Sequence, residues 1–185
     1  MGSTISEHGA YTKMSELITG VEVNDLKVFK DERGAVMRMM RRDDPFFREF
    51  GEIYFSIVMP NVVKAWHLHK SMTLNYACVF GKIKLVLYDP RVAFPSTARD
   101  ILNPTCGMMN EFILGGYPDH EDYKLVTIPP GVWNGFRAVH NLGTGLEMGI
   151  VANCATEPHN PNEIERHSPD ASFIPYDWGP YEVAG

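Results

Sequence analysis

Hydrophobic residues along this chain occur in short runs that are rich in β-branched and aromatic side chains and are separated by turn residues. This pattern is typical of β-strands, because helices need longer segments with a different period. The clearest example is 82–88, where Ile83, Leu85 and Leu87 alternate with other residues in the period of two of a half-buried strand. The pattern predicts about ten strands, over residues 21–29, 35–40, 53–59, 62–69, 74–80, 82–88, 109–114, 123–128, 135–139 and 146–152.

The segments between these runs predict how the strands connect. The sequence DERG, residues 31–34, predicts a turn, and Gly81 predicts a tight turn between the strands on either side of it. The segment 41–51 predicts a short helix, because an aspartate can cap it and Pro45 suits its first turn. Evenly spaced short strands with intervening turns favour an all-β jelly-roll barrel with a short helix or two.

The length of 185 residues predicts a single domain. We expect a mobile segment over residues 1–18, a jelly-roll domain over 19–153, and a C-terminal tail over 154–185 that packs on the barrel. The tail is polar and rich in proline, which distinguishes it from the strands before it.

Charge and cysteine content narrow the classes of partner. There are 17 Lys and Arg against 23 Asp and Glu, and no stretch concentrates basic residues, so we expect a small-molecule ligand and no nucleic acid. Three cysteines without CxxC spacing predict free thiols and a cytoplasmic protein. No run approaches the roughly 18 to 20 apolar residues of a membrane span, so we expect no membrane partner.

The sequence KAWHLHK, residues 64–70, places two histidines on one predicted strand. His67 and His69 are two residues apart, so both imidazoles project from the same side of the sheet. The HxH spacing resembles the first cupin motif, but Leu74 stands where that motif has a glutamate, and Asn134 stands where the second motif has a histidine. Two nitrogens leave a divalent ion short of ligands, which favours acid–base catalysis and leaves a metal-dependent cupin dioxygenase or sugar isomerase as the alternative.

Five segments carry a family resemblance. They are KVFKDERG at 27–34, VVKAWH at 62–67, Gly81 with KLVLYDPR after it at 84–91, IPPGVWNGF at 128–136 and SPDASFIPYDW at 168–178. In this order and spacing, the chain resembles the dTDP-4-dehydrorhamnose 3,5-epimerase family of sugar-nucleotide epimerases from about residue 21 to residue 178. The resemblance implies a cupin-type jelly roll and a homodimer. It also implies a nucleotide-linked 4-keto-6-deoxy sugar, or a related heptose, as substrate, and no metal or organic cofactor.

The resemblance also implies roles for individual residues. His67 matches the catalytic base, and Asp170 matches the carboxylate that pairs with it. Arg33 would bind the diphosphate, and Phe29 lies where the nucleotide base is contacted. Lys64 stands where the family has arginine. A ketone at C4 acidifies the C–H bonds at C3 and C5, so one base can remove a proton if a cation such as Lys64 stabilises the enolate.

Besides Lys64, the chain departs from the family pattern near Leu74, where the family has a lysine, and at three further positions around this predicted site. Asn153 stands at the place of the tyrosine that donates the proton on the opposite face of the sugar, Asn134 replaces a histidine, and His69 is an addition. We count all three as candidate substrate-binding residues. The acid would then be water, His69, or a relocated tyrosine such as Tyr54 or Tyr76.

These departures leave the reaction open. The chain fits an epimerase acting at C3, at C5 or at both. It also fits an enzyme that uses the same base for ketoisomerisation or dehydration, or a protein that binds a nucleotide sugar without turning it over.

Overall fold

The computed structural model describes residues 16–94, 101–140, 145 and 147–182. This part of the chain is all β and contains no helix, which confirms the predicted fold class. Its thirteen strands are β1 (Glu22–Asp25), β2 (Val28–Asp31), β3 (Gly34–Met37), β4 (Glu52–Val58), β5 (Val63–His69), β6 (Leu74–Tyr88), β7 (Ala93–Phe94), β8 (Ile101–Leu102), β9 (Met109–Gly115), β10 (Lys124–Ile128), β11 (Trp133–Ala138), β12 (Gly149–Ala155) and β13 (Ile164–Arg166).

The main strands form two antiparallel layers that share β6. The first layer runs in the order β1, β10, β6, β12, β4, and the second runs β9, β6, β11, β5, β13. Strands β2 and β3 form a separate hairpin around the predicted DERG turn. Two facing layers linked by antiparallel strands form the jelly roll that the spacing of the hydrophobic runs predicts.

The predicted tight turn at Gly81 is wrong, because β6 runs unbroken through it. Gly81 has a φ of 69°, and a Cβ atom there would lie 1.9 Å from the carbonyl oxygen of Met148. Only glycine fits this combination of a left-handed backbone and a close backbone neighbour. Gly81 lies at the point where β6 passes from the first layer to the second. Before this point β6 pairs with β12, and after it β6 pairs with β9.

The predicted helix over 41–51 is also absent, because local hydrogen bonds close turns instead. The Asp44 side chain accepts a hydrogen bond from the backbone N–H of Arg41, at 2.7 Å, rather than capping the residues that follow. Phe46 packs against a cluster that contains Ala77 and Leu125, outside the first layer. Packing of this kind outweighs a weak helical preference in so short a segment.

The second layer is buried on both faces. Ile83, Leu85 and Leu87 are fully buried between the layers, as their alternation predicts. The outer face is covered by Ile174 and Trp178 of the tail, which form a second hydrophobic cluster with residues of β5, β6 and β11. The sheet also extends past residue 153, because β12 ends at Ala155 and β13 pairs with β5.

The N-terminal part of the chain joins the barrel at Ile18. Its side chain is buried, and its backbone N–H donates to Asn110 at 2.8 Å. Most of the predicted mobile segment, residues 1–15, lies outside the described residues. Within the described ranges, no helix has the length and apolar character needed to cross a membrane.

Candidate active site

A pocket of about 400 Å³ opens between the two layers of the barrel. This volume lies within the range of small-molecule sites. One wall comes from β5, β11 and β13, and the other from β4 and the first half of β6. The lining residues are Glu52, Tyr54, Ser56, Lys64, His67, His69, Met72, Tyr76, Phe136, His159, Ile164 and Arg166.

A bulge in β5 brings Lys64 and His67 to the same side of the strand. His67 pairs with Asn134 of β11, and Lys64 pairs with Phe136. The two residues of β5 are three positions apart in the sequence, whereas their partners on β11 are two positions apart. A Cβ atom on Gly135, opposite the bulge, would lie 2.4 Å from the Cβ of Ala65. An extra residue in one strand reverses the alternation of side chains, which is why both Lys64 and His67 line the pocket.

The surroundings of His67 keep it neutral. Burial lowers its pKa to about 4, and the positive charges of Arg166, His69 and Lys64 act in the same direction. A neutral imidazole has a free lone pair that accepts a proton. At neutral pH His67 is therefore in the form that a general base requires.

Lys64 places a cation inside the pocket. Its Nζ donates to the Ser56 hydroxyl at 2.6 Å and to the Ile57 carbonyl at 3.3 Å, so the side chain reaches from β5 to β4. Burial lowers the pKa of this ammonium group. Together with Arg166, Lys64 gives the pocket a local positive charge that suits an anionic ligand.

His69 is held by a carboxylate that the sequence did not indicate. Its Nδ1 lies 2.7 Å from Oε2 of Glu163, and both side chains are buried. The other carboxylate oxygen, Oε1, accepts hydrogen bonds from the backbone N–H groups of Ser71 and Met72. Burial raises the pKa of Glu163, but these amides and His69 outweigh it, so the pKa lies below its ordinary value. Glu163 precedes β13, and only the pairing of β13 with β5 brings it to His69.

The predicted pair of His67 and Asp170 is not brought together. Asp170 is exposed and does not line the pocket, and its carboxylate accepts a hydrogen bond from the Tyr181 hydroxyl at 2.6 Å. The preceding residue, Pro169, accepts a hydrogen bond from the indole of Trp66. The tail packs against the Trp66 side of β5, and His67, the next residue along the strand, projects from the other side.

Two predicted binding residues lie behind the pocket wall. Asn134 is fully buried, and its amide donates to the His67 carbonyl at 2.9 Å. Asn153 is also fully buried, and its oxygen accepts the backbone N–H of Asn75 at 2.9 Å. Neither lines the pocket, so their contacts support the barrel.

Two further candidates lie outside the pocket, on the β2–β3 hairpin. Phe29 and Arg33 line a separate shallow depression on that hairpin. The Arg33 side chain is 83% exposed and pairs with Asp31. Neither residue therefore lines the pocket of its own chain.

The wall opposite His67 and His69 carries two tyrosines. Tyr54 projects from β4 and Tyr76 from β6, and both line the pocket. Burial raises the pKa of Tyr76 well above its ordinary value, and Tyr54 adds to the shift through its charge and a hydrogen bond. Across the described ranges, no group of three or more His, Cys, Asp or Glu side chains is arranged to hold a metal ion.

Two relatives match most of the chain at more than 30% identity. The probable low-salt glycan biosynthesis epimerase Agl13 of Haloferax volcanii is 32% identical over 162 residues, which are 86% of this chain and 89% of that protein. The crystal structure of a dTDP sugar isomerase from Desulfovibrio desulfuricans G20 is 41% identical and superposes with a TM-score of 0.74. That match covers 87% of this chain and 92% of the other.

A more distant structure has the same fold. The dTDP-6-deoxy-D-glucose-3,5-epimerase RmlC from Legionella pneumophila Philadelphia 1, solved with dTDP-4-keto-L-rhamnose, is 19% identical with a TM-score of 0.68. The match covers 89% of this chain and 81% of that one. No protein-family model matches the chain.

Proposed function

Since the chain belongs to the dTDP-4-dehydrorhamnose 3,5-epimerase family of sugar-nucleotide epimerases, we propose that it inverts a carbon next to the ketone of a nucleotide-linked 4-keto-6-deoxy sugar. The observation that carries this proposal is His67, a half-buried and neutral imidazole that lines the pocket together with the half-buried Lys64. The dTDP sugar named for the isomerase from Desulfovibrio favours dTDP as the nucleotide.

In this proposal His67 takes the proton from C3 or C5 of the sugar. The electron pair of the broken C–H bond moves to the C4 oxygen and gives an enolate. Lys64 is the cation placed to stabilise that oxygen, and a partly buried cation is more effective than a fully solvated one. Arg166 supplies a second positive charge, which suits the diphosphate of the substrate. The steps need no metal and no organic cofactor.

We also propose that the active form is a homodimer. Strand β4 pairs only with β12 in the described part of the chain, and its outward face carries a row of apolar side chains. These are Ile53, Phe55 and Ile57, with Met59 directly after the strand, each more than half exposed. A contiguous apolar row on an edge strand is a surface that a second copy can cover.

The dimer also gives a role to the β2–β3 hairpin. Phe29 and Arg33 match family positions for the base and the diphosphate, yet they do not reach the pocket of their own chain. We infer that they serve the pocket of the partner subunit.

The three free thiols support a reducing compartment, so we propose that the enzyme is cytoplasmic.

The test is solvent exchange in D2O with a dTDP-linked 4-keto-6-deoxy sugar, followed by NMR. We expect deuterium to enter C3, C5 or both, together with an epimerised product. His67→Ala should abolish both signals while leaving the fold intact. His140→Ala is the matched control, because this histidine is exposed and lies outside the pocket, and it should exchange like the wild type.

Three outcomes would contradict the proposal. Binding of the nucleotide sugar without exchange in the wild type would indicate a binding protein. Exchange that persists in His67→Ala would remove His67 from the mechanism. Formation of a 3-keto product would indicate a ketoisomerase.

A further inference from the structure

Inversion of a carbon needs a proton donor on the side of the sugar opposite the base. His67 and His69 both come from β5, so they share one wall of the pocket. A ligand between the two layers presents its other face to β4 and to the first half of β6. The donor should therefore come from that second wall.

Two tyrosines of the second wall have a proton to give at neutral pH. The Lys64 ammonium also reaches this wall, but the proposed mechanism assigns it to the enolate oxygen. Phenol hydroxyls keep their proton at this pH, whereas carboxyl groups ordinarily lose theirs. Tyr54 is half-buried and lines the pocket, whereas Tyr76 is 5% exposed and lies deeper. Tyr54 is therefore the better placed of the two to reach a ligand.

The register of the sheet connects these tyrosines with the family's usual donor. Asn153 of the middle strand β12 is the direct partner of Tyr54 on β4 and of Tyr76 on β6. Directly paired residues in neighbouring strands point to the same face of a sheet. The family's tyrosine would stand at position 153, and this chain has a small amide there with a tyrosine on each side of it.

Contacts connect Tyr76 with Tyr54 and with the strand behind it. Tyr54 contributes to the raised pKa of Tyr76, and the Tyr76 hydroxyl donates a hydrogen bond to Oδ1 of Asn134 at 3.5 Å. Asn134 in turn donates to the backbone carbonyl of His67. Through Asn134, Tyr76 is therefore tied to the strand that carries the base, and Tyr54 lies on the same face of the sheet.

We propose that the Tyr54 hydroxyl is the proton donor that faces His67 across the pocket, and that Tyr76 is its positioning residue. This inference rests on the proposed epimerase function. His67 removes the proton from carbon, and the C–H electron pair forms the enolate. The enolate then re-forms the ketone as its carbon takes the Tyr54 proton on the opposite face. Tyr76 donates to the phenolate left on Tyr54, and proton transfer through solvent from His67 to Tyr54 resets the site.

Separating exchange from inversion tests the proposal. In Tyr54→Phe, His67 still removes the proton and returns a deuteron from D2O to the same face. We expect labelled substrate of unchanged configuration, and epimerisation slower by at least about 100-fold, the usual contribution of a general acid. Tyr76→Phe should lower kcat by about tenfold with little change in KM, because Tyr54 keeps its proton but loses its partner.

Tyr117→Phe is the control, since this tyrosine is exposed and outside the pocket, and it should behave as the wild type. Nucleotide binding and thermal unfolding of each variant show whether it is folded. Unchanged epimerisation in Tyr54→Phe would overturn the proposal and leave the epimerase function standing. Loss of both exchange and epimerisation in folded Tyr54→Phe would also overturn it, because proton removal would then depend on Tyr54. A wild type without exchange would instead refute the proposed function.

Discussion

Two imidazoles on one strand have opposite surroundings in this pocket. His67 is half-buried and lies near the positive charges of Arg166 and Lys64, whereas His69 is buried and has its Nδ1 2.7 Å from the carboxylate of Glu163. A hydrogen-bonded carboxylate fixes the orientation of an imidazole, whereas nearby cations favour the neutral form of His67. The two histidines therefore differ in function: His67 is free to accept a proton, and His69 is a fixed part of the wall.

The low pKa of His67 predicts a pH dependence of stability. Between pH 6.5 and about 4 the unfolded chain binds a proton that the folded chain does not, so the free energy of unfolding falls as the pH falls through this window. The loss for His67 is at most about 3 kcal/mol. His67→Gln removes this contribution, so its stability should fall less between pH 7 and pH 4.5 in urea denaturation. His140→Gln should keep the wild-type slope, and equal slopes for His67→Gln and the wild type would refute the predicted shift.

At the scale of strands, the sequence correctly predicts the positions of side chains that depend on the alternation of residues along a single strand. The alternation at 82–88 and the HxH spacing correctly place Ile83 in the core and both histidines in the pocket. The turn predicted at Gly81 is wrong, although the position does require a glycine. The requirement comes from the carbonyl group of Met148, which lies on another segment of the chain.

The parts of the site that the sequence did not predict depend on contacts between distant segments. The bulge that turns Lys64 inward is formed with Gly135 of β11, and Glu163 reaches His69 only through the pairing of β13 with β5. Asp170 was assigned by its place in a motif, but the packing of the tail on Trp66 puts it on the other side of the strand. No local pattern of residues carries this information.

The passage of β6 from the first layer to the second at Gly81 leads to a prediction about stability. Gly81→Ala adds a Cβ that would meet the Met148 carbonyl, in addition to the cost of a positive φ. We expect a loss of at least about 3 kcal/mol in the free energy of unfolding. Gly107→Ala is the matched control, because its φ is 81° and nothing lies within 4 Å of the added Cβ, and it should lose about 1 kcal/mol. Similar losses in the two variants, measured by urea denaturation, would show that the close contact has no role.

At the scale of the whole molecule, the net charge of −6 does not oppose an anionic substrate. Lys64 and Arg166 concentrate positive charge in the pocket, and a local field in a cleft matters more for a ligand than the total charge. The all-β fold and the family follow from the sequence. The role proposed for the hairpin residues, however, requires a second copy of the chain.

If Arg33 serves the partner's pocket, two defective chains should complement each other. Arg33→Ala and His67→Ala, each inactive or strongly impaired as a homodimer, are co-expressed with different tags and isolated as a mixed dimer. One of the two pockets then has both His67 from its own chain and Arg33 from the partner. We expect about half of the wild-type activity per dimer, measured by epimerisation of the dTDP sugar. If Arg33 instead serves its own pocket, each pocket of the mixed dimer keeps one defect and activity stays at the level of the parent variants.

The apolar row on β4 provides the control for this experiment. Phe55→Lys places a charge in the middle of the row, so it should weaken the dimer and give the mass of a monomer in light scattering. Val92→Lys introduces the same charge at another exposed apolar residue and should leave the dimer intact. In the Phe55→Lys background the two chains should no longer restore each other's activity. A Phe55→Lys chain that remains dimeric would exclude this face of β4 as the interface, and complementation would then have to arise through another surface.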